Sequence, residues 1–259
     1  MKIKHYVITR FLSSLTLGLG ERIFDEEIIQ DGLSYARSYF IPSMNNQTVK
    51  DFTVIFMIND RHDTENSGIR ELYDVKLEMP FKVLRESEYL DYIMEDSKDA
   101  DKVILTRMDY DDFVNCEAAG EIQELASESA CDIFSYGYNT GMILYEGKLY
   151  PFVKPGYWKK GYFSIFESVC VSREYLTPKL DIYSFPHTFM KTEVKKYAEE
   201  HSITTTEMPE VEGTENFVWV RHKNTGTELL TNTPVSNRKL LDAIEMDRKR
   251  FRWLFGGEL

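Results

Sequence analysis

The sequence predicts an α/β fold built on a mainly parallel sheet, with a smaller half of short mixed strands. Three observations carry this reading. Short apolar runs rich in β-branched and aromatic residues recur in the first half of the chain: Tyr6–Thr9, Phe52–Ile58, Phe81–Leu84 and Lys102–Met108. Segments of helical periodicity separate most of them, and strands alternating with helices imply parallel pairing through right-handed crossovers. From Cys131 onward the runs shorten and glycines divide them, which is the texture of antiparallel or mixed strands.

Length and composition bound the rest. At 259 residues the chain holds one to two domains of ~150 residues each. No linker is visible, so one domain of two halves is expected over 1–234, a first half of about 1–114 and a second of about 115–234. A basic amphipathic helix follows in 235–259. A hydrophobic fraction of 42% and a charged fraction of 29% exclude disorder and a membrane-spanning class. A net charge of −12 excludes a general nucleic-acid binder, because that binding rests on neutralising phosphates. Cys116, Cys131 and Cys170 are odd in number and lack CxxC spacing, so a disulfide scaffold or zinc ribbon is excluded in favour of reduced thiols. The segment from Met1 to Gly20 has basic residues and a mildly apolar run. It also has polar interruptions and no small-residue cleavage site, so a cytoplasmic protein is expected.

Each element follows in order. Tyr6–Thr9 reads as the first strand. Ile28, Ile29, Leu33, Ala36 and Phe40 recur at helical spacing over 28–45, and Pro42 is expected to bend or end that helix. Phe52–Ile58 is a buried strand stopping at Asn59-Asp60, and 61–68 is a polar loop. Phe81–Leu84 is the third strand, 88–98 a helix and Lys102–Met108 the fourth strand. A helix is expected over 115–129. Short strands follow at Ile133–Tyr138, Met142–Tyr145 and Leu149–Val153, then an aromatic, basic loop at 155–161. Helices over 188–201 and 237–255 bracket a late strand, Phe217–Val220.

The sharpest chemical feature is Asp109-Tyr110-Asp111-Asp112, directly after the fourth strand. Residues i and i+2 of an extended segment point the same way. Asp109 and Asp111 should therefore project together beyond the carboxyl end of a parallel strand, where open α/β sheets bind ligands. Paired carboxylates suit a hard dication, Mg²⁺ or Mn²⁺, which keeps positions for water and substrate phosphates. A DxD triplet is also cheap in an acidic chain and can be a solvated charge run. Asp112 is expected to cap the helix that follows. Arg10, Arg107, Arg221 and Lys223 could clamp phosphates. His222, flanked by two cations, favours a neutral imidazole able to bind metal, and a surface histidine is the plain alternative. Tyr157 and Trp158 lie in the aromatic, basic loop and offer ring faces for stacking.

Ser43-Met44-Asn45-Asn46-Gln47-Thr48, the strand Phe52–Ile58, and the later DxD together resemble the nucleotide-sugar glycosyltransferases of the GT-A fold. More narrowly, Tyr6–Phe11, Ile41-Pro42-Ser43, Thr106–Asp112 and Trp219-Val220-Arg221-His222 with Asn224 resemble the bacterial rhamnosyltransferase family. The resemblance spans most of 4–224. It implies a GT-A-like (Rossmann-like) fold and a metal-assisted, inverting transfer of a sugar, rhamnose among the candidates. The donor would be a nucleotide-diphosphate sugar and the acceptor a saccharide or other hydroxyl. It places donor contacts at Thr9, Arg10, Phe11, Asp60, Arg107, Asp109, Arg221 and Lys223, and metal ligands at Asp109, Asp111 and His222. Asn59 replaces the first of two acids usual in the broader superfamily, which leaves Asp60 as the contact to base or ribose. The reaction also needs a general base. Glu167, beside apolar Phe163, Ile165 and Phe166, is the first candidate and Asp181 the second; a paired structural carboxylate is the alternative for Glu167.

Two other classes use the same residues: a metal-dependent phosphoester or sugar hydrolase, and a non-catalytic nucleotide-sugar-binding protein. The C-terminal segment carries Arg238, Lys239, Arg248, Lys249, Arg250 and Arg252 opposite Leu240, Leu241, Ile244, Phe251, Trp253, Leu254 and Phe255. It is expected either to dock on its own protein or to touch a membrane face.

Overall fold

The structure is a computed structural model that describes residues 1–14, 19–65, 68–138, 140–145, 147–153, 166–185, 190–206, 215–220 and 246–259. In chain order the main elements are strand β1 (Ile3–Arg10), helix α1 (Glu26–Tyr35), helix α2 (Ile41–Asn45), β2 (Thr53–Ile58), β3 (Phe81–Arg85), α3 (Tyr89–Asp96), β4 (Lys102–Met108) and β5 (Phe113–Val114). Then come α4 (Ala118–Glu128), β6 (Ile133–Gly137), β7 (Thr140–Tyr145), β8 (Lys148–Val153), β9 (Phe166–Ser172), α5 (Met190–His201), β10 (Phe217–Val220) and α6 (Arg248–Phe255).

Six strands form the main sheet in the order β3-β2-β1-β4-β9-β6. The first four are parallel, and β9 runs antiparallel to both β4 and β6. This is a mainly parallel α/β sheet, as the alternation of strands and helices predicts. Alternation along the strands splits the core into two layers. Tyr6, Ile8, Ile55, Met57, Val103, Leu105 and Val169 face α3 and α5, where Ile93, Val194 and Ala198 meet them. Val7, Val54, Phe56, Ile104 and Cys170 face α1 and α4, against Ile29, Leu33, Ile122 and Ala126. Strands buried on both faces read as continuous apolar runs, which is why β2 and β4 are visible in the sequence.

A second sheet, β5-β10-β7-β8, lies beside the first. Helix α6 covers it: Phe251, Leu254 and Phe255 pack with Phe113, Met142, Leu144 and Val218. Three of the apolar residues of α6 are therefore spent on its own protein, whereas Trp253, expected on the same side, projects outward instead and is exposed. Asp247 caps the helix by accepting from the amide of Lys249 at 3.0 Å, and Gly256 ends it at φ +75°, where a side chain would be strained. The expected start of this helix at 237 lies outside the described residues. Among the described residues, no helix is long and apolar enough to cross a membrane.

Phe166–Ser172, a segment without a distinct signal in the sequence, is β9, paired by β4 on one side and β6 on the other. Two local expectations are corrected. Pro42 does not end the first helix; the chain passes through a π-helical turn, Ala36–Phe40, and Pro42 sits in the first turn of α2, where its missing amide costs nothing. Asp112 precedes β5 and not a helix, so it is not an N-cap.

Candidate active site

The four parallel strands end at one edge of the main sheet. There β1 presents Arg10, and β4 breaks into Asp109-Tyr110-Asp111-Asp112 before the two-residue strand β5. Arg10 holds Asp109 with a two-pronged ion pair. Its Nε donates to Oδ1 at 3.0 Å and its Nη2 to Oδ2 at 3.2 Å. The carboxylate beside it, with the pair largely shielded from water, raises the affinity of this guanidinium for its proton.

Asp109, Asp111 and Asp112 each offer a carboxylate oxygen, all within 4.8 Å of one another. Asp109 and Asp111 are half-buried and Asp112 is buried. The Oδ1 of Asp112 accepts from the amide of Val220 at 2.9 Å, tying the end of β10 to the Asp cluster. Arg10 already compensates part of this charge, and the hardness of the oxygen donors fits Mg²⁺ or Mn²⁺. Tyr110 points away, into the core, and packs on Phe11 at 5.0 Å between ring centres. Burial, reinforced by Asp111 and Asp109, keeps its hydroxyl protonated.

Arg107, Glu167, Arg10 and Asp109 share the sheet face that carries Tyr183. Arg107 and Glu167 are register partners across β4 and β9, so their side chains are neighbours on one face. Both are buried. The Nη1 of Arg107 donates to the carbonyls of Phe185 at 2.9 Å and Ile182 at 3.4 Å, and its guanidinium lies 4.8 Å from the Tyr183 ring centre. Arg10 approaches the same ring at 5.9 Å. The Tyr183 hydroxyl donates to the carbonyl of Ile8 at 2.7 Å, which pins the segment after β9 across the ends of β1 and β4. Asp181 supports that segment by accepting from the amide of Tyr183 at 2.8 Å and from the hydroxyl of Tyr89.

The remaining expected donor residues are dispersed. Thr9 is fully buried, and its Oγ1 meets no hydrogen-bond partner among the described residues. Phe11 is in the core against Gly32, where an added Cβ would come within 3.2 Å of its ring. Asp60 is exposed and accepts from the amide and hydroxyl of Ser87 at 3.1 and 3.0 Å, bracing the turn after β3. Tyr157, Trp158, Arg221, His222 and Lys223 lie outside the described residues.

Ser43, Gln47 and Thr48 are brought behind the Asp cluster rather than into it. The hydroxyl of Ser43 bonds both backbone groups of Val114 at 3.0 Å. Gln47 donates to the carbonyl of Asn115 at 2.8 Å and accepts from the amide of Ala119 at 3.0 Å. Thr48 donates to Glu117 at 2.9 Å. These bonds fix β5 and the start of α4, and so the direction in which Asp111 and Asp112 leave the sheet. Sequence reading missed Tyr183 and Tyr89, since a tyrosine beside apolar neighbours such as Ile182 and Leu90 gives no local signal of what its hydroxyl will meet.

The solved structures this chain is similar to include nucleotide-sugar enzymes, at low identity and TM-scores below 0.5. A nucleotide-diphospho-sugar transferase from Desulfovibrio desulfuricans G20 is 11% identical, at TM-score 0.44, covering 93% of this chain and 92% of that one. The S. aureus protein TarS, solved with UDP-GlcNAc, is 13% identical at TM-score 0.41, over 86% of this chain and 59% of its own. A Pyrobaculum calidifontis mannosyltransferase, solved with GDP-Man and Mn²⁺, is 12% identical at TM-score 0.41, over 85% and 56%. The chain thus spans less than two thirds of these last two. No curated protein matches in sequence. A family model described as "Putative rhamnosyl transferase" matches residues 20–224, which is most of the chain and contains the Asp cluster, Arg107, Glu167 and Asp181. On that match the chain belongs to this rhamnosyl transferase family.

Proposed function

We propose that the chain is a nucleotide-sugar glycosyltransferase, with rhamnose the sugar that the family description favours. The observation that carries the reading is the cluster Asp109, Asp111 and Asp112 at the carboxyl end of β4, with Arg10 locked onto Asp109. A ligand at this edge meets carboxylates for a dication and a guanidinium, the combination a sugar diphosphate requires.

In this proposal Asp111 and Asp112 hold Mg²⁺ or Mn²⁺ through their carboxylate oxygens, and Asp109 adds charge while Arg10 orients it. His222 is the proposed third ligand; its support is that Val220, two residues earlier, is bonded to Asp112. When bound, the metal neutralises the diphosphate as it departs. Arg221 and Lys223 are proposed to clamp the phosphates and Asp60 the nucleoside. Thr9 and Phe11 shape the floor below the donor, and Tyr157 and Trp158 are the proposed acceptor face. Arg107 is given a different part: with its nitrogens on the carbonyls of Ile182 and Phe185, it positions the Tyr183 segment over the site.

The transfer itself is a displacement at the anomeric carbon. The acceptor hydroxyl loses its proton to a carboxylate, a bond forms from its oxygen to the anomeric carbon, and the bond to the diphosphate oxygen breaks. Glu167 is the proposed base, supported by its place on the face that carries Arg10 and Asp109. Asp181 is the second choice, because both its observed bonds are donated to it and would have to be kept during proton uptake. Inversion follows from a single displacement.

The test is release of free nucleoside diphosphate from UDP-, GDP- and dTDP-sugars with Mn²⁺, with and without saccharide acceptors. Release that requires an acceptor supports transfer. Release to water alone would favour a hydrolase, and binding without release a non-catalytic binder.

A further inference from the structure

A second cavity, of about 500 Å³, opens where α6 crosses the start of β10 and the turn before α4. That size is ordinary for a small-molecule site, where ~300–1,000 Å³ is the usual range. Its lining includes Trp253, Leu254, Arg250, Glu215, Glu117 and Asn115. It is separate from the Asp cluster. The register Val218↔Phe113 and Phe217↔Val114 puts Asp112 and Val220 at one end of this strand pair and Asn115 and Asn216 at the other. Three to four residues at ~3.3 Å each place the two sites roughly 10–13 Å apart.

Trp253 is the decisive residue. It is 67% exposed, whereas its helix neighbours Phe251, Leu254 and Phe255 are buried. The backbone around it is fixed, since its carbonyl accepts from Nδ2 of Asn46 at 2.8 Å and the two flanking faces are packed in the core. An exposed indole on a fixed backbone at the mouth of this cavity offers a stacking platform. The charges narrow the ligand further. Arg250 is already paired with Glu215 at 2.7 Å, so Glu117 leaves the rim net negative and an anionic ligand is disfavoured. Glu117, which accepts from Thr48, and Glu215, which pairs with Arg250, keep acceptor capacity for further donors, which a purely apolar ligand would not supply. A neutral polyhydroxylated ring satisfies both: its C–H face lies on the indole and its hydroxyls reach the carboxylates and amide.

We infer that this cavity is a second saccharide-binding site, which holds neutral oligosaccharide away from the site of transfer. The inference does not rest on the transfer reading, because binding here needs no donor and no metal.

The experiment uses the full chain without nucleotide or metal. An array of neutral and acidic oligosaccharides built from rhamnose, mannose, glucose, galactose and N-acetylglucosamine is probed first, and the strongest ligand is titrated calorimetrically. Neutral oligosaccharides should bind. Trp253→Ala should weaken them about tenfold or more, the loss of one stacked ring. Glu117→Gln should weaken them less, and Asp111→Asn should leave them unchanged. No binding of any neutral oligosaccharide overturns the proposal, as does an unchanged affinity in Trp253→Ala. Binding of the chain to anionic-lipid vesicles that Trp253→Ala abolishes, with no glycan affinity, would overturn it in favour of a membrane contact. If transfer fails while Trp253-dependent glycan binding persists, only the transfer reading falls.

Discussion

The two oxygens of Asp109 face the two nitrogens of Arg10, at 3.0 and 3.2 Å, across the ends of two parallel strands. The ion pair joins β1 to β4 at the carboxyl end of the parallel strands. It also divides the labour within the Asp triplet. Asp109 is already half neutralised by a fixed cation, which leaves Asp111 as the stronger ligand for a second one. Partly buried, two-pronged pairs of this kind are more specific in geometry than surface pairs.

That division predicts an order of effects. Asp111→Asn should weaken Mn²⁺-dependent binding of nucleoside diphosphate by at least about tenfold, because an amide cannot match a carboxylate against a dication. Asp109→Asn should do so less. Arg10→Gln should move the two ligands apart, tightening Mn²⁺ by releasing Asp109 while weakening the diphosphate. Calorimetry on the three variants is the check; equal effects of Asp109→Asn and Asp111→Asn would contradict the division.

Asp112 should behave differently again, because it is bonded to the amide of Val220. Asp112→Ala leaves that buried donor without its acceptor, at a cost of about 1–3 kcal/mol. Asp112→Asn keeps an acceptor oxygen and should lose less than half of this. Urea unfolding of both variants measures the difference, and similar midpoints would remove the structural role.

Much of this was legible in the chain itself, and what was not has physical reasons. Val54–Ile58 and Val103–Leu105 announce parallel strands, since burial on both faces makes them apolar throughout, and the Asp triplet follows directly. β9 was hidden. Phe166–Ser172 interleaves Glu167 and two serines with its apolar residues, and its partners β4 and β6 lie far away in sequence. Nothing local encodes such pairing. The bond from Asp112 to Val220 spans 108 residues, and a helical pattern nearby made a cap the natural reading. Tyr183 was invisible for the same reason: its role depends on Ile8 and Arg107, which only the fold brings near.

His5 gives a pH signature. It is fully buried, and Nε2 lies 2.8 Å from the Thr106 hydroxyl. Gln123 donates to its Nδ1 at 3.2 Å, so Nε2 carries the proton of a neutral ring. Burial lowers its pKa to about 3. The folded state thus resists a proton that the unfolded chain accepts near pH 6.5. Stability is full above 6.5 and falls as pH drops from 6.5 toward 3. At pH 5 the loss from this group is about 2 kcal/mol. His5→Asn, although less stable at pH 7.5, should lack this part of the decline. Chemical unfolding at pH 7.5 and 5.0 decides it, and parallel declines in both proteins would sink the idea.

Helix α6 should be structural as well as a wall of the second cavity. Phe251 is fully buried, with its ring 5.3 Å from Phe113 and 5.0 Å from Phe255. Phe251→Ala should therefore cost about 3–5 kcal/mol, the usual range for a buried aromatic. Phe113 leads straight from Asp112, so the loss should also weaken nucleotide binding. A thermal midpoint within a degree or two of the parent would show that α6 is dispensable.

The last prediction concerns Glu167. It lies in β9 opposite Arg107, on the sheet face shared with Arg10 and Asp109, and it is fully buried. A carboxylate there is either the base for the acceptor hydroxyl or a fixed counter-charge for Arg107. The two roles separate cleanly in kinetics. Glu167→Gln preserves shape and a hydrogen-bonding oxygen but cannot take up the proton. As a base, its loss should lower kcat about 10²- to 10⁴-fold while donor affinity stays within about twofold. As a counter-charge, its loss should destabilise the fold and loosen the segment around Tyr183 that Arg107 holds, so that donor affinity and thermal midpoint fall together. Arg107→Lys distinguishes them further, since it weakens the carbonyl contacts yet keeps a positive charge beside Glu167. A kcat defect confined to Glu167→Gln assigns the base. A near-parental kcat in that variant moves the assignment to Asp181, for which Asp181→Asn should then show the loss.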